Sequence, residues 1–212
     1  MKNLFYHEYL VQNKVHNLTK YNVLFFIFCI IGTSVINSAE DFEKLGKVFS
    51  VVYIPLSFLA LGANIFKYDI DDGSFELTAA ASSSMQIILS KYSVLSLNSC
   101  VSFILISPLL KIFFNLSLHD LFFLLCPAIL LILLSSALII LIASIQSYFK
   151  SNTDFLSVLI MPLLIPNIIM AGIFMQGMEE FFLLYIMIGI NLIIIPPSLY
   201  LSGYLIENIY NI

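Results

Sequence analysis

The chain has 212 residues, of which 60% are hydrophobic and only 10% are charged, and its formal net charge is −4. A soluble domain carries about 25% charged residues because its surface must face water, so this composition indicates an integral membrane protein and excludes a soluble enzyme, a disordered chain and a secreted disulfide scaffold. The basic residues are too few and too scattered to bind phosphates, so we expect a lipid bilayer, and no nucleic acid, as the chain's environment.

Six apolar stretches are long enough to cross a membrane, because the hydrocarbon core requires about 20 mainly apolar residues. They cover residues 21–38, 48–66, 93–110, 121–145, 155–175 and 181–205. These spans occupy most of the chain, which predicts a single all-α transmembrane domain over residues 1–212. The three cysteines lie inside apolar stretches, and we interpret them as small buried hydrophobic residues.

Residues 1–20, ahead of the first span, are predicted to form an interfacial amphipathic helix. Apolar residues recur on one narrow face at helical spacing, and polar residues lie elsewhere. The apolar face consists of Leu4, Val11, Val15 and Leu18, and the polar residues are Gln12, Asn13 and Lys14. We expect this helix to lie along the inner membrane surface and to enter the first span at an elbow.

Lysines in the short loops predict the orientation of the spans. With a cytoplasmic N-terminus, the inner lysines are Lys2, Lys14, Lys20, Lys67, Lys91 and Lys150, and the outer ones are Lys44, Lys47 and Lys111. Because cytoplasmic loops carry the excess of positive charge, this distribution favours a cytoplasmic location for both termini.

The interiors of the predicted spans contain no ionisable side chain. Proton-coupled transporters need such groups at mid-depth, so the pattern argues against secondary transport. We interpret Asn98, Asn167 and Asn191 as residues that join helices by hydrogen bonds. All seven prolines lie in predicted spans. Pro162 and Pro166 share one face of the fifth span and predict a fixed bend there, with a gating hinge as the alternative role.

Residues 67–92 form the longest polar connection, between the second and third predicted spans. Its first acids are Asp69, Asp71, Asp72 and Glu76. Gly73 allows a sharp turn, Asp72 or Ser74 can cap a helix, and Glu76 lies in the first turn, where the helix dipole favours an anion. The following helical repeat is Phe75, Ala79, Ser82, Met85 and Leu89. This pattern predicts a short cytoplasmic helix with an acidic start, suited to contact with a soluble partner.

No pattern in the sequence indicates a catalytic or metal site. The segment Asp69-x-x-Asp72-Gly73 matches the opening of the metal-binding motif of CDP-alcohol phosphotransferases, but the Arg and the later acids of that motif are missing. The three histidines have no partner at ligand spacing, and the chain contains no P-loop. We expect no catalytic residue, no metal and no cofactor bound directly to this chain.

Several of the same segments resemble the haem exporter protein B (CcmB) family, the membrane subunit of the cytochrome c maturation ABC transporter. The segment from Phe66 to Glu76 resembles the family's F-x-x-D-x-x-D-G-[ST]-L-E motif, with Phe75 in place of Leu. Further similarities are Ile106 to Leu110, the Pro127-Ala128 step, and Met161 to Pro166, which resembles L-P-L-x-I-P. The departures are the Ala and Ser run at 79–84 and the reduced loop at 150–152.

The resemblance implies an ABC-2-like permease fold with six spans, paired with a separate ATP-binding subunit, two copies of each. The residues of the coupling interface with that ATPase would be Asp69, Asp71, Asp72, Gly73, Ser74, Phe75 and Glu76. ATP would act through the partner subunit, which would carry the ATPase activity, and haem would be held by partner proteins. The implied role is release of a haem-loaded chaperone from a neighbouring haem-handling membrane subunit, historically described as haem export.

Two alternatives stay open on the sequence alone: another ABC-2-type permease subunit and a secondary transporter. We expect a multi-pass protein of the bacterial inner membrane, with the mitochondrial inner membrane as the alternative location.

Overall fold

A computed structural model describes residues 2–15, 17–36, 42–61, 65–66, 69–70, 73–149, 161–175 and 181–210. Every regular element within these ranges is helical. In chain order these are α1 (Lys2–Leu10), a π-helical turn (Val11–Val15), α2 (Leu18–Ile36), α3 (Phe42–Leu61), α4 (Ser74–Ala81), α5 (Ser84–Phe114), α6 (Leu118–Phe149), α7 (Met161–Met175) and α8 (Phe181–Tyr210). The all-α architecture expected from the composition is confirmed for these ranges.

Three of the described helices are long and apolar enough to cross a membrane: Ser84–Phe114, Leu118–Phe149 and Phe181–Ile209. The bent pair Leu4–Lys14 and Leu18–Ser34 provides a fourth crossing if it forms one span. Two further apolar helices, Gly46–Phe58 and Met161–Met175, are shorter. The six-span count and the cytoplasmic location of both termini therefore stay predictions, and residues 37–38, 62–64 and 155–160 of the predicted spans lie outside the described residues.

The N-terminal segment bends between α1 and α2. The helical pieces on the two sides of the bend meet at 47°, and Asn17 takes a left-handed backbone conformation with φ of 49°, which Asn tolerates better than most residues. Contrary to the expected separation of polar and apolar faces, Gln12 is buried and Asn13 contacts α5. The wide π-helical turn explains the difference, because it turns these two adjacent residues toward the same neighbour. Membrane-surface placement of α1 stays a prediction.

Contacts between helix ends show how the described helices run relative to one another. Asn22 of α2 meets Ser99 of α5, and Phe26 meets Phe103 farther along both helices, so α2 and α5 run in the same direction. Helices α3 and α8 run opposite to α5, since the start of α3 packs at Phe114 and the end of α8 packs at Met85. A ring contact between the start of α6 and the end of α7 makes those two antiparallel as well. An alternating bundle results.

Helix α6 occupies the centre of this bundle, where it packs against α3, α5, α7 and α8. Its sequence is apolar on all sides, and its buried residues likewise face several directions, as expected for a helix that other helices surround. Several of its buried polar side chains are serines that bond to the helix's own carbonyls: Ser144, for example, donates to Ile140 O at 2.8 Å. Such bonds allow a hydroxyl group to be buried in an apolar helix, although the buried hydroxyl of Ser135 has no hydrogen-bond partner among the described residues.

The connection between α3 and α5 differs from the sequence prediction in how its helices are divided. The spacing from Phe75 to Leu89 predicts one helix, but the structure divides it at Ser82, whose backbone is extended (φ −149°, ψ 151°). Ser83 then forms a capping box with Gln86 and begins α5. As a result, α5 begins at Ser84 rather than near residue 93, and Lys91 lies inside this helix instead of in a loop.

Candidate functional site

The predicted coupling segment is anchored to the bundle by an aromatic pair. Phe75, in the first turn of α4, is 1% exposed, and its ring meets that of Phe66 edge to face, with centroids 6.0 Å apart. Between the two rings, Ile70 N donates a hydrogen bond to Phe66 O (3.0 Å) and Gly73 N donates one to Ile70 O (3.3 Å). The aromatic contact therefore fixes where α4 sits on the bundle.

A buried ion cluster lies beside this pair. Lys91 of α5 forms ion pairs with Glu8 of α1, at 2.9 Å, and with Asp69 of the loop. The lysine and glutamate side chains are only 3% and 5% exposed. Lys91 Nζ also lies 5.3 Å from the centre of the Phe66 ring, within the range of a cation–π interaction. One cation thus joins α1, α5 and the coupling loop.

The predicted interface residues are not equivalent in the structure. Asp69 is buried in the ion cluster, and Phe75 is buried in the aromatic pair. Gly73 has a left-handed backbone with φ of 76°, and Ser74 begins α4 and donates from Oγ to Asp69 O at 3.4 Å. Glu76 is exposed in the first turn of α4. Asp71 and Asp72 lie outside the described residues.

The exposed side of the coupling segment is mixed in character. Leu77, next to Glu76, is 76% exposed, and Ile70, Ala80 and Ala81 are also exposed. An acid beside a protruding leucine on a short, anchored helix is suited to binding a protein groove, since an apolar anchor with a charged rim is typical of protein interfaces.

Sequence reasoning missed Glu8 and Lys91 as members of the site. Lys91 was expected in a short loop on the cytoplasmic side, but it shares a face of α5 with Ile87, Ile88 and Val94, all of which are buried. A lysine at helical spacing from such residues is the signal that could have identified it, because a buried cation requires an acidic partner. Glu8, one turn after Leu4 on α1, provides that partner.

Polar contacts continue from the cluster along the contact between the N-terminal segment and α5. Asn13 donates to Asn98 Oδ1 at 3.0 Å, and Asn98 donates to Gln12 Oε1 at 3.4 Å. Farther along, Asn22 donates to Ser99 Oγ at 3.4 Å. We call these contacts, together with the ion cluster, the polar seam. Asn98 therefore joins helices, as expected from the sequence.

The two prolines of the predicted bend, Pro162 and Pro166, both lie in α7. Pro162 lies in the first described turn of α7 and Pro166 one turn farther on, and both are exposed. Asn167 lies on the opposite, buried side of the same helix and bonds to Asn191. The bend and any gating role of the prolines stay predictions.

Within the described residues, no group of three or more His, Cys, Asp or Glu side chains could hold a metal ion. The ion cluster has two carboxylates, but a lysine lies between them.

Comparison with known proteins identifies the family. The family model described as CcmB protein matches residues 2–195. The chain belongs to the CcmB family. It is therefore a multi-pass membrane subunit of a cytochrome c maturation ABC transporter, a system that uses ATP through an ATP-binding partner. The segment from Phe66 to Leu77, which includes Asp69 of the ion cluster and the exposed leucine, lies within the matched residues.

Two full-length relatives come from Rickettsia. An uncharacterized protein of Rickettsia conorii is 43% identical over 205 residues, covering 97% of this chain and 95% of the relative. An uncharacterized protein of Rickettsia prowazekii is 43% identical over 215 residues, covering all of both chains. No solved structure matches the chain.

Proposed function

We propose that this CcmB-family chain is an ABC-2-like permease that transmits ATP hydrolysis in a separate subunit to the release of haem-loaded chaperone. Two copies of the chain would pair with two copies of the ATPase in the bacterial inner membrane, with both termini cytoplasmic. The chaperone would leave a neighbouring haem-handling membrane subunit on the opposite side.

The observation that carries this proposal is the presentation of α4. Phe75 is buried and anchors this helix to the bundle, whereas Glu76 and Leu77 are exposed to solvent. A rigidly held helix can transmit a displacement of its partner to the bundle, whereas a free loop would absorb it. The acids Asp71 and Asp72 would extend the charged rim of this surface, while buried Asp69 would position it.

The long helix α5 would carry the movement across the bilayer. Its 31 residues span about 46 Å at 1.5 Å per residue, more than the roughly 30 Å of the hydrocarbon core. The helix begins directly after α4 and ends at Phe114, beside the start of α3. Pro162 and Pro166 would shape the fifth span against this bundle, with hinge motion as their further role.

The first experiment tests docking. We would purify the tagged chain in mild detergent after co-expression with the ABC ATPase encoded in the same organism and measure the ATPase recovered per chain. Glu76→Lys and Leu77→Asp should each remove most of it, because the first reverses the rim charge and the second removes the apolar anchor. Glu207→Lys is the matched control, because Glu207 is also an exposed helical acid. Equal loss in the control, or full recovery with both α4 variants, would contradict the proposed interface.

The second experiment separates cytochrome c maturation from transport by another ABC-2-type permease. Cells that lack the chain should contain no holo-cytochrome c and should accumulate haem-loaded chaperone in the membrane. Normal holo-cytochrome c in these cells would rule out the maturation role. Transport by the chain reconstituted alone under an ion gradient would instead support a secondary transporter, which the uncharged centres of the predicted spans argue against.

A further inference from the structure

The N-terminal helix is connected to the coupling helix through a continuous series of buried contacts. Phe75 of α4 packs on Phe66, Phe66 lies beneath the ammonium group of Lys91, and Lys91 is paired with Glu8 of α1. Asp69 adds a second connection between the loop and the same lysine. Each of these five residues is buried. No step in this series depends on solvent-exposed contacts, which water and salt would weaken.

We propose that Lys91 is a positioning residue that couples α1 to the coupling helix, so that the N-terminal helix moves with α4 and takes part in transmission. This inference rests on the proposed function of α4. The N-terminal segment is then more than a membrane-surface anchor, because movement of the coupling helix is transmitted to it as well as to α5.

The chemistry of the cluster suits such a connection. A lysine between two carboxylates, 3% exposed and away from water, is attracted to both, and removing either partner leaves charge that is poorly compensated. Because Lys91 is paired with both Glu8 and Asp69, a movement of the loop is transmitted through Lys91 to α1. The aromatic ring beneath the ammonium group adds attraction without needing a further hydrogen bond. The three charges therefore resist separation of α1 from the loop.

The rest of the polar seam gives the movement a route. The N-terminal segment continues through the π-helical turn into α2, which packs beside α5 through Asn22 and Phe26. Hydrogen bonds between Asn13, Gln12 and Asn98 line the intervening stretch. Polar side chains of this kind can exchange partners in small steps, whereas sliding an interdigitated apolar contact requires repacking. A displacement delivered at Glu8 would thus reach α2.

The test uses isosteric variants in the complete transporter. Glu8→Gln breaks the connection on the α1 side and leaves Lys91 paired with Asp69. Because the series reaches α1 only through Glu8, this variant should lower the holo-cytochrome c formed per ATP hydrolysed by about tenfold, a coupling change of ordinary size. ATPase recovery per chain and the rate of ATP hydrolysis should stay near those of the unmodified chain. Asp69→Asn weakens the connection on the loop side and should lower the yield per ATP less, because Phe66 still joins the loop to Lys91.

Asp120→Asn is the matched control. Asp120 also pairs with a lysine, Lys47 of α3, at 2.7 Å, but this pair lies outside both the series and the polar seam, so the variant should form the normal amount of holo-cytochrome c per ATP hydrolysed. Normal yield per ATP in Glu8→Gln would overturn the proposal. Loss of ATPase recovery in Glu8→Gln would overturn it as well, because the pair would then serve folding rather than transmission. Failure of the unmodified chain to recover the ATPase would instead refute the proposed function itself.

Discussion

Asn167 of α7 donates a hydrogen bond to Asn191 of α8 across 2.7 Å, and Asn191 donates in turn to the backbone oxygen of Leu130 in α6 at 2.9 Å. Two side chains thereby join three helices. Asn167 is fully buried and Asn191 nearly so, in a region where the surroundings are otherwise apolar. A polar bridge of this kind specifies which helix faces meet, because any other rotation would leave the amides without partners.

Breaking this bridge should lower the thermal stability of the chain in detergent. Asn191→Leu leaves the Asn167 amide buried without its acceptor, at a cost of about 1–3 kcal/mol. The double variant Asn167→Leu with Asn191→Leu should lose less than the sum of the two single variants, because neither amide is then stranded. Ser198→Ala serves as the control, since Ser198 bonds only within α8 in the described contacts. Additive losses would show that the two asparagines stabilise the bundle independently.

The sequence predicted the helices well where a long apolar run alone defines the helix. The apolar runs that became α5, α6 and α8 could be recognised from length alone. The boundary at Ser82 could not, because Phe75 and Leu89 fit one helical repeat, and the capping box of Ser83 competes with that repeat only locally. The polar composition of residues 67–92 identified them as a connection between spans. It did not show that Asp69 and Phe75 of this connection are buried against the bundle.

The coupling interface stays a prediction, but the structure assigns different environments to its predicted residues. The acids from Asp69 to Glu76 were treated as one surface, yet Asp69 is buried and Glu76 is exposed. What separates them is a partner distant in sequence: Lys91 selects Asp69, and no local pattern encodes that choice. Glu8 was missed for the same reason, because its role is set by how α1 lies on α5.

Gly46 permits a close contact at the other end of the bundle. A Cβ built at this position would lie 2.3 Å from Cγ of Phe114, so α3 can approach the end of α5 only with glycine there. Gly46→Ala should destabilise the chain by about 1–3 kcal/mol through overpacking. The measurement is the thermal midpoint in detergent, with monodispersity by size exclusion.

Gly189→Ala is the matched control for this position, because nothing lies within 4 Å of a Cβ built there. It should be neutral or slightly stabilising, by up to about 1 kcal/mol, since alanine favours a helix more than glycine does. Combining Gly46→Ala with Phe114→Leu should recover part of the loss. Equal midpoints for the two glycine variants would contradict the close contact.

Asp120 stabilises the start of α6 in two ways. It accepts hydrogen bonds from the Ser117 backbone at 3.1 Å and from the Ser117 hydroxyl at 2.6 Å, and it pairs with Lys47 of α3 at 2.7 Å. Asp120→Ala should cost about 1–2 kcal/mol because the hydrogen bonds from Ser117 to the Asp120 carboxylate and the ion pair are both lost. Lys47→Met removes the ion pair but keeps the hydrogen bonds from Ser117 to Asp120, so it should cost less, about 0–1 kcal/mol. Thermal midpoints at low and high salt distinguish the two contributions. High salt should reduce the ion-pair part of the loss, which both variants share, and should leave the part due to the Ser117 hydrogen bonds, which only Asp120→Ala loses. A larger loss in Lys47→Met than in Asp120→Ala would contradict this division.

Gly73 sets the direction in which α4 leaves the loop. Its φ of 76° lies in the left-handed region, and nothing lies within 4 Å of a Cβ built there, so the effect of a side chain at this position is conformational rather than steric. Alanine should cost about 1–2 kcal/mol in this conformation, asparagine less and valine more. Because the cost falls on the presentation of Glu76 and Leu77, we expect recovery of the ATPase to decrease in the order Gly, Asn, Ala, Val, while the thermal midpoint of the bundle changes little. Wild-type recovery with valine would show that α4 docks without this turn.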